Sequence, residues 1–287
     1  TFSVPSNYVA LASANLPISD DIDPAETDDD YIGGKQFGVV TYTGNGSTQS
    51  ITGLGFQPDL VWLKRRDGSK SHALFDSSRG VTKYISADNA NNEATDTSTL
   101  TAFGSDGFSL ASPAANNLVN GNGFTYVGWA WRVNAGTTAS NSNGDISSTV
   151  QVNDKAGFSI VKYTGDLSSS GNRTVGHGLS TAPDLIIRRG LNVGERWAVS
   201  HVGCTSFNYM MELNSTNAEV DKSGNGSMSA PTTTVFSNNY TDGYAVNGTN
   251  YVAYCFHSVD GYSRFSSYVG NGDADGPFVY TGFRPRF

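Results

Sequence analysis

The densest group of carboxylates lies near the start of the sequence, in the run Asp20–Asp30. Carboxylate oxygens are preferred Ca²⁺ ligands, but a calcium site needs about six to eight ligands folded onto one point. This run is interrupted by Pro24, and neighbouring like charges repel one another and extend a chain. We therefore interpret Asp20–Asp30 as a solvated linker.

A second acidic segment, Asn271–Gly276, imitates the start of a helix-loop-helix calcium loop, with ligand types at its first, third and fifth positions. The twelfth position of such a loop requires a bidentate Glu, and here it is Gly282. The segment also aligns with the Gly44–Gly46 turn of a repeat described below. We predict a turn here and no metal site anywhere in the chain.

Histidine and glutamate give little support for catalysis. No histidine pair has the spacing of a metal-binding motif, and we find no nucleophile elbow and no phosphate-binding glycine loop. Asp59 and Asp184 each follow a proline at equivalent places, which favours turn residues over a catalytic pair. We predict that the chain is not an enzyme and holds no cofactor. The histidines and glutamates of the sequence are His72, His177, His201, His257, Glu26, Glu93, Glu195, Glu212 and Glu219.

Tryptophan side chains can stack on sugar rings, and the sequence has four of them. Trp62 and Trp131 lie in apolar runs, which favours core packing. Trp197 lies in the more polar segment Gly194–Val199, and we select it as the candidate glycan contact.

Composition predicts an all-β protein. The 287 residues include 33 Gly and 29 Phe plus Tyr, with 15% charged residues, and short alternating runs end at Gly, Asn or Pro. A net charge of -8 argues against binding nucleic acid, and no run approaches the ~18 apolar residues that span a bilayer. We expect Cys204 and Cys255 to be free, buried thiols.

Three landmarks recur in order along the chain. They are an aromatic strand with a glycine turn, a proline-led apolar run, and an aromatic strand after Asn-Gly. The first landmark occurs at Phe37–Gly46, Phe158–Asp166 and Phe265–Gly272. The second occurs at Gly55–Arg65, Pro183–Arg189 and Gly282–Phe287. The third occurs at Asn122–Trp131 and Asn247–Phe256. Because such recurrence is the signature of a repeat, we predict tandem copies of one unit.

The spacing of the landmarks supports this interpretation. Pro58 and Tyr126 are 68 residues apart, and so are Pro183 and Tyr251. We predict an N-terminal arm at 1–34, module 1 at 35–136, a connector at 137–154, module 2 at 155–260, and the opening strands of a third copy at 261–287. The alternating run Ile146–Val152 in the connector could add one edge strand.

The predicted fold of each module is a β-sandwich, with a barrel as the alternative. In the strand containing Tyr126, Trp129 and Trp131 the aromatics do not all share one face, because Tyr126 and Trp129 differ by an odd number of positions. We expect that strand to be buried on both faces.

Several strings together resemble an uncharacterised repeat domain of tailed-bacteriophage virion proteins: Tyr42–Gly46, Gly55–Lys64, Leu74–Gly80, Ser105–Phe108 and Tyr262–Pro285. The opening Phe2–Leu11 resembles the end of a lectin-like domain. Module 2 lacks the Leu74–Gly80 string and departs from module 1 between Arg188 and Met228.

The resemblance implies a structural virion protein, such as a tail fibre or spike segment, that acts as a modular scaffold and host-surface adhesin. It implies other virion proteins and a host cell-surface glycan as partners, and a homo-oligomer, with a trimer favoured. The alternatives are a head fibre or capsid-decorating protein, a carbohydrate-binding module, and a capsule depolymerase. The resemblance supplies no catalytic or binding residues.

Overall fold

The computed structural model describes residues 35–113, 117–223 and 228–285. The predicted arm at 1–34, with its acidic run Asp20–Asp30, lies outside these residues. The described residues form antiparallel ladders of strands and contain no α-helix. The prediction of an all-β fold is therefore confirmed.

Module 1 contains two main sheets and a short ladder. Inner sheet 1 has the strand order β1-β9-β3-β4, outer sheet 1 has the order β2-β8-β7, and β5 pairs with β6. The strands are β1 (Phe37–Thr43), β2 (Gln49–Thr52), β3 (Leu60–Arg65), β4 (Ala73–Asp76), β5 (Lys83–Tyr84), β6 (Ala94–Thr95), β7 (Leu100–Gly104), β8 (Gly107–Leu110) and β9 (Thr125–Trp131).

The connector and module 2 together form a longer sheet. Inner sheet 2 has the order β10-β11-β12-β19-β14-β15-β16-β17, and outer sheet 2 is the pair β13-β18. The strands are β10 (Ala139–Asn141), β11 (Ser148–Asn153), β12 (Phe158–Thr164), β13 (Asn172–Gly176), β14 (Leu185–Gly190), β15 (Ala198–His201), β16 (Tyr209–Glu212), β17 (Val220–Asp221), β18 (Val235–Asn239) and β19 (Asn250–Phe256).

The landmark strands have the same order and register in both modules. The order β1-β9-β3-β4 corresponds to β12-β19-β14-β15. Tyr126 of β9 lies opposite Tyr42, and Tyr251 of β19 lies opposite Tyr163. The equal spacing of 68 residues thus reflects equal pairing of the proline-led strand with the aromatic strand.

In the first two copies of the first landmark, the glycine two residues after the tyrosine is required by close backbone approach. A Cβ on Gly44 would lie 2.3 Å from the carbonyl oxygen of Gly121, and one on Gly165 would lie 2.2 Å from that of Val246. Real Cβ atoms do not approach so closely, so these positions accept only glycine.

Apolar clusters lie against both faces of each inner sheet, although one face of β1 is exposed at Val39, Thr41 and Thr43. One cluster lies between inner and outer sheet 1 and includes Val61 and Leu63, and another lies between inner and outer sheet 2 and includes Val161. A third cluster joins the two inner sheets and contains both Leu60 and Ile160. Successive strand residues therefore serve opposite cores, as alternation in a strand requires.

The strand β9 follows this pattern. Tyr126 is fully buried, Ala130 belongs to the module 1 core, and Trp131 packs against the cluster between the inner sheets. The prediction that this strand is buried on both faces is therefore confirmed for the Tyr126 face only, because Val127, Trp129 and Trp131 on the opposite face are half-buried.

The connector supplies two strands where one edge strand was expected. The strand β11 pairs along the length of β12, so it is internal, and β10 forms the edge outside it. Gly144, with a φ of 108°, lies between these two strands.

The opening strands predicted for a third copy at 261–287 are not found up to residue 285. Past a bridge between Val259 and Ser263, the described residues form turns and extended chain without a ladder. Phe278 is 92% exposed and Tyr280 is 79% exposed. The physical reason is that the described chain offers no counterpart of β8 and β9 with which these residues could pair.

Candidate functional site

The Leu74–Gly80 string forms a charged turn at the end of β4. The backbone N–H of Arg79 donates to Asp76 Oδ1 (2.8 Å), and Arg79 Nε donates to Asp76 Oδ2. Arg79 Nη2 donates to the Leu74 carbonyl (2.9 Å), and Nη1 donates to Glu93 Oε1 (3.0 Å). The Asp76 and Arg79 side chains are almost completely buried, so water barely screens this ion pair.

Module 2 contributes directly to this turn. The Tyr254 hydroxyl on β19 donates to Asp76 Oδ2 (2.7 Å), and Lys162 Nζ on β12 donates to the Ser78 carbonyl. The bonds of Tyr254 and Lys162 cross from module 2 to module 1. We call the group formed by Asp76, Arg79, Glu93, Lys162 and Tyr254 the latch.

Electrostatics fix the protonation states inside the latch. Burial raises the pKa of the Tyr254 phenol well above its usual value, and the negative charge of Asp76 raises it further. Burial lowers the pKa of Arg79, but the adjacent Asp76 carboxylate outweighs burial and leaves that pKa raised. Tyr254 therefore stays a neutral donor and Arg79 stays a cation.

Further contacts of module 1 with the connector and with module 2 surround the latch. Gln151 Nε2 donates to Ser78 Oγ (2.9 Å), and the Glu93 N–H donates to the Leu191 carbonyl (2.8 Å). The apolar cluster between the inner sheets lies beside them. Asp76, Arg79 and Tyr254 are buried and Glu93 and Lys162 are half-buried, so most of this hydrogen-bond network is shielded from water.

The selection of Trp197 as a glycan contact is wrong. Trp197 is 0% exposed, and its Nε1–H donates to the Ser86 carbonyl of module 1 (2.8 Å). Its ring stacks against Tyr254, with ring centroids 6.4 Å apart. The polar residues around it in sequence do not indicate exposure, because module 1 covers the side chain.

A second buried cation lies on the other face of inner sheet 2. Arg188 of β14 is 1% exposed, and Nη1 donates to Asn238 Oδ1 (2.7 Å) and to the Ser237 carbonyl (3.0 Å). Its Nη2 donates to Ser200 Oγ. In the part of the chain that the structure describes, no carboxylate forms an ion pair with Arg188, and Arg188 Nε has no acceptor.

Arg188 lies at the inner end of a cleft. The cavity has a volume of about 10 Å³, which is room for about one water molecule. The buried end is formed by Arg188 and Ser200. Phe207, Met228 and Pro231 also line it, and Met228 is buried.

The pairing registers place Arg188 where module 1 has a leucine. Leu63 lies opposite Gly128 on β9, two residues after Tyr126, and Arg188 lies opposite Ala253 on β19, two residues after Tyr251. Leu63 is a core residue. The segment in which module 2 departs from module 1 also supplies Phe207 and Met228 to the cleft. Aligning the two modules position by position would have found Arg188 from sequence.

The paired aspartates have structural partners. Asp59 accepts from the N–H groups of Val133 (2.7 Å) and Gly136 (2.7 Å), and Asp184 accepts from that of Ser258 (2.7 Å). The two carboxylates thus anchor the chain after β9 and after β19 in the same way. These bonds join segments 74 positions apart, so the two carboxylates are long-range anchors and not the local turn residues that were predicted.

His177 and His72 form hydrogen bonds within the fold. His177 is fully buried, and its Nε2 lies 3.0 Å from the Thr232 carbonyl. His72 Nδ1 accepts from Trp62 Nε1 (2.7 Å). Across residues 35–113, 117–223 and 228–285, no three His, Cys, Asp or Glu side chains are grouped to hold a metal ion.

In the Asn271–Gly276 segment, side-chain oxygens accept hydrogen bonds from backbone N–H groups two residues further along the chain. Asn271 Oδ1 accepts from the Asp273 N–H (3.0 Å), and Asp273 Oδ1 accepts from the Asp275 N–H (3.1 Å). This is turn geometry, as predicted.

Both cysteines are free, as predicted. Cys255 is fully buried, and burial raises the pKa of its thiol to about 12. The expected burial is wrong for Cys204, which is half-buried in the loop after β15.

In the described part of the chain, no helix is long and apolar enough to cross a membrane. No curated protein and no solved structure matches the chain. The family model described as Domain of unknown function (DUF7483) matches residues 33–287. Because this match covers most of the sequence, the chain belongs to the DUF7483 family.

Proposed function

We propose that this chain is a structural segment of a tailed-phage virion, in a tail fibre or spike, where its stacked sheets act as a rigid scaffold. The observation that carries the proposal is the latch, in which Asp76 and Arg79 of module 1 are buried against Tyr254 of module 2. The context is the resemblance of Leu74–Gly80, Gly55–Lys64 and Tyr262–Pro285 to a phage repeat domain.

The physical reasoning concerns orientation. An apolar interface alone tolerates sliding and repacking, whereas a buried ion pair with fixed donors is satisfied in one arrangement. Breaking it would leave an uncompensated charge away from water. We infer that the latch fixes one angle between the modules, as a rigid fibre or a display element requires.

The proposal includes a homotrimer on the particle surface, without catalytic activity. A formal charge of -8 favours solubility at the high local concentration of such an assembly. The mass of the native protein in solution tests the trimer, and release of reducing ends from host polysaccharide would contradict the absence of catalysis.

The test of location uses purified phage particles. Mass spectrometry of virions should find peptides from residues 35–285, and gold-labelled antibodies against the recombinant chain should mark the tail. A label on the head would favour the alternative of a head fibre or capsid-decorating protein. Absence of the chain from purified particles would overturn the proposal.

A further inference from the structure

We propose that the edge of β1 facing away from β9 is a strand-docking site, and that its occupant is the segment Phe278–Thr281 of a second copy of this chain. The proposal rests on the self-assembly proposed above and names the surface through which the copies join. It does not depend on where the protein lies on a phage.

The pairing of β1 with β9 fixes which backbone groups of β1 point outward. The Gly44 N–H donates to the Phe124 carbonyl (2.8 Å), so the even-numbered residues of β1 are the ones that bond to β9. The N–H and C=O groups of Val39 and Thr41 therefore point away from β9. Within the described residues, no strand pairs with this side of β1.

The equivalent edge in module 2 is filled by a strand. Ile160 and Lys162 of β12 correspond to Val39 and Thr41 of β1, and β11 pairs with β12 at both positions. Ile160 is fully buried, whereas Val39 is 45% exposed. In the described part of the chain, module 1 thus has an open strand position where module 2 has β11.

The strand β1 lacks the features that protect exposed edges from pairing. Its seven residues, Phe37–Thr43, include no charged residue and no proline. Val39 lies opposite Trp129, which is half-buried, so an added strand would cover apolar side chains as well as backbone groups. Long uncharged edges of this kind are templates for pairing with another chain.

The segment Phe278–Thr281 has the properties of the missing strand. Its four residues are all of types that favour strands, and it is bounded by Pro277 and Gly282. Phe278 is 92% exposed and Tyr280 is 79% exposed, and the segment has no ladder of its own. In an extended chain Phe278 and Tyr280 share one face, so both can cover the apolar side chains beside β1.

The position of this tail favours a second copy as its source. Ser267 lies against Gly203, just after β15 of module 2, whereas β1 is at the opposite edge of inner sheet 1 from β4, which carries Asp76 of the latch. The tail of one copy then adds a strand to the next, with main-chain hydrogen bonds supplying affinity. A head-to-tail contact of this kind closes into a ring when the rotation between copies allows it, as in the proposed trimer.

The experiment follows the full chain by sedimentation velocity and by residue-resolved amide hydrogen exchange, from low to high protein concentration. Phe278→Ser removes an aromatic side chain that the single copy leaves in solvent, and Tyr268→Ser, 69% exposed in the same tail, is its matched control. Thr41→Pro removes one outward N–H, which an edge strand tolerates, and Thr41→Ala keeps that donor.

We expect the parent to self-associate and the Val39 and Thr41 amides to exchange more slowly as the concentration rises. Phe278→Ser and Thr41→Pro should each weaken association roughly tenfold, or about 1.4 kcal/mol, through lost apolar burial and a lost hydrogen bond. Tyr268→Ser and Thr41→Ala should associate like the parent.

A parent that stays monomeric at every concentration would overturn the proposal. So would exchange of the Val39 and Thr41 amides that does not change with concentration, because the edge would then be open throughout or covered within its own chain. An oligomer that Phe278→Ser leaves intact would reject this surface while the proposed homotrimer stands.

A folding defect in Thr41→Pro does not affect this decision. Phe278→Ser changes a residue that is exposed in the single copy, so it tests the contact without disturbing either module.

Discussion

Replacing Asp76 with alanine is the most informative perturbation of the latch. Asp76 accepts three hydrogen bonds, two from Arg79 and one from Tyr254. The alanine variant leaves the Arg79 guanidinium buried with Glu93 as its remaining anionic partner. Removing one member of a buried ion pair costs about 3–5 kcal/mol, and we expect this loss in the free energy of unfolding.

The matched control is Asp166→Ala. Asp166 pairs with Arg173 at 2.8 Å, but both side chains are substantially exposed. An exposed pair contributes about 0–1 kcal/mol, so the control should remain close to the parent. Urea unfolding followed by circular dichroism measures both variants.

Tyr254→Phe completes a double-mutant cycle across the two modules. This variant removes the hydroxyl that donates to Asp76 while keeping the ring against Trp197. We expect a loss of about 1.5–3 kcal/mol by itself and a coupling of at least about 0.5 kcal/mol with Asp76→Ala. A cost of Asp76→Ala no greater than that of Asp166→Ala, together with additive effects in the cycle, would refute the role of the latch.

Three other outcomes are expected. In the native protein, Cys204 should react with an aromatic disulfide reagent and Cys255 should not, whereas both should react in urea. Equal reaction rates of the two thiols without urea would contradict this prediction. Because burial raises the pKa of the Tyr163 and Tyr254 phenols above 10.0, stability should be retained below pH 10 and fall as the pH rises further; an unchanged urea midpoint at pH 11 would disprove it. Trp197→Ala should cost about 3–5 kcal/mol through the cavity it creates, and glycan-array binding that disappears in a variant as stable as the parent would contradict the burial of this residue.

The strands and the close glycine contacts of this fold can be predicted from the sequence, because they depend on residues that are near one another along the chain. Alternation and glycine turns predict the strands, and the two 68-residue spacings agree with the two equal strand registers. Gly44 and Gly165 mark close backbone approaches that only glycine allows.

The features that sequence reasoning missed depend on contacts between distant segments. Trp197 lies in a polar stretch, yet its burial comes from Ser86 and its neighbours, more than a hundred positions away. Asp76 and Tyr254 are likewise 178 positions apart. No local pattern specifies that the two inner sheets lie against each other. The Leu74–Gly80 string is therefore recognisable in the sequence, but its contact with module 2 is not predictable from it.

The segment after Ser263 shows a different limit. Phe265–Gly272 has the composition of the first landmark, but a strand also needs neighbouring strands to receive its hydrogen bonds. The described chain supplies none there, and local propensity alone does not form a ladder.

Differential scanning calorimetry of the chain spanning residues 33–287 tests most directly whether the two modules form one rigid body. Their joined inner sheets predict a single transition, with a calorimetric enthalpy equal to the van't Hoff enthalpy. Two separable transitions, with the module 1 transition unaffected by Tyr254→Phe, would show that the modules fold independently and would contradict a rigid scaffold.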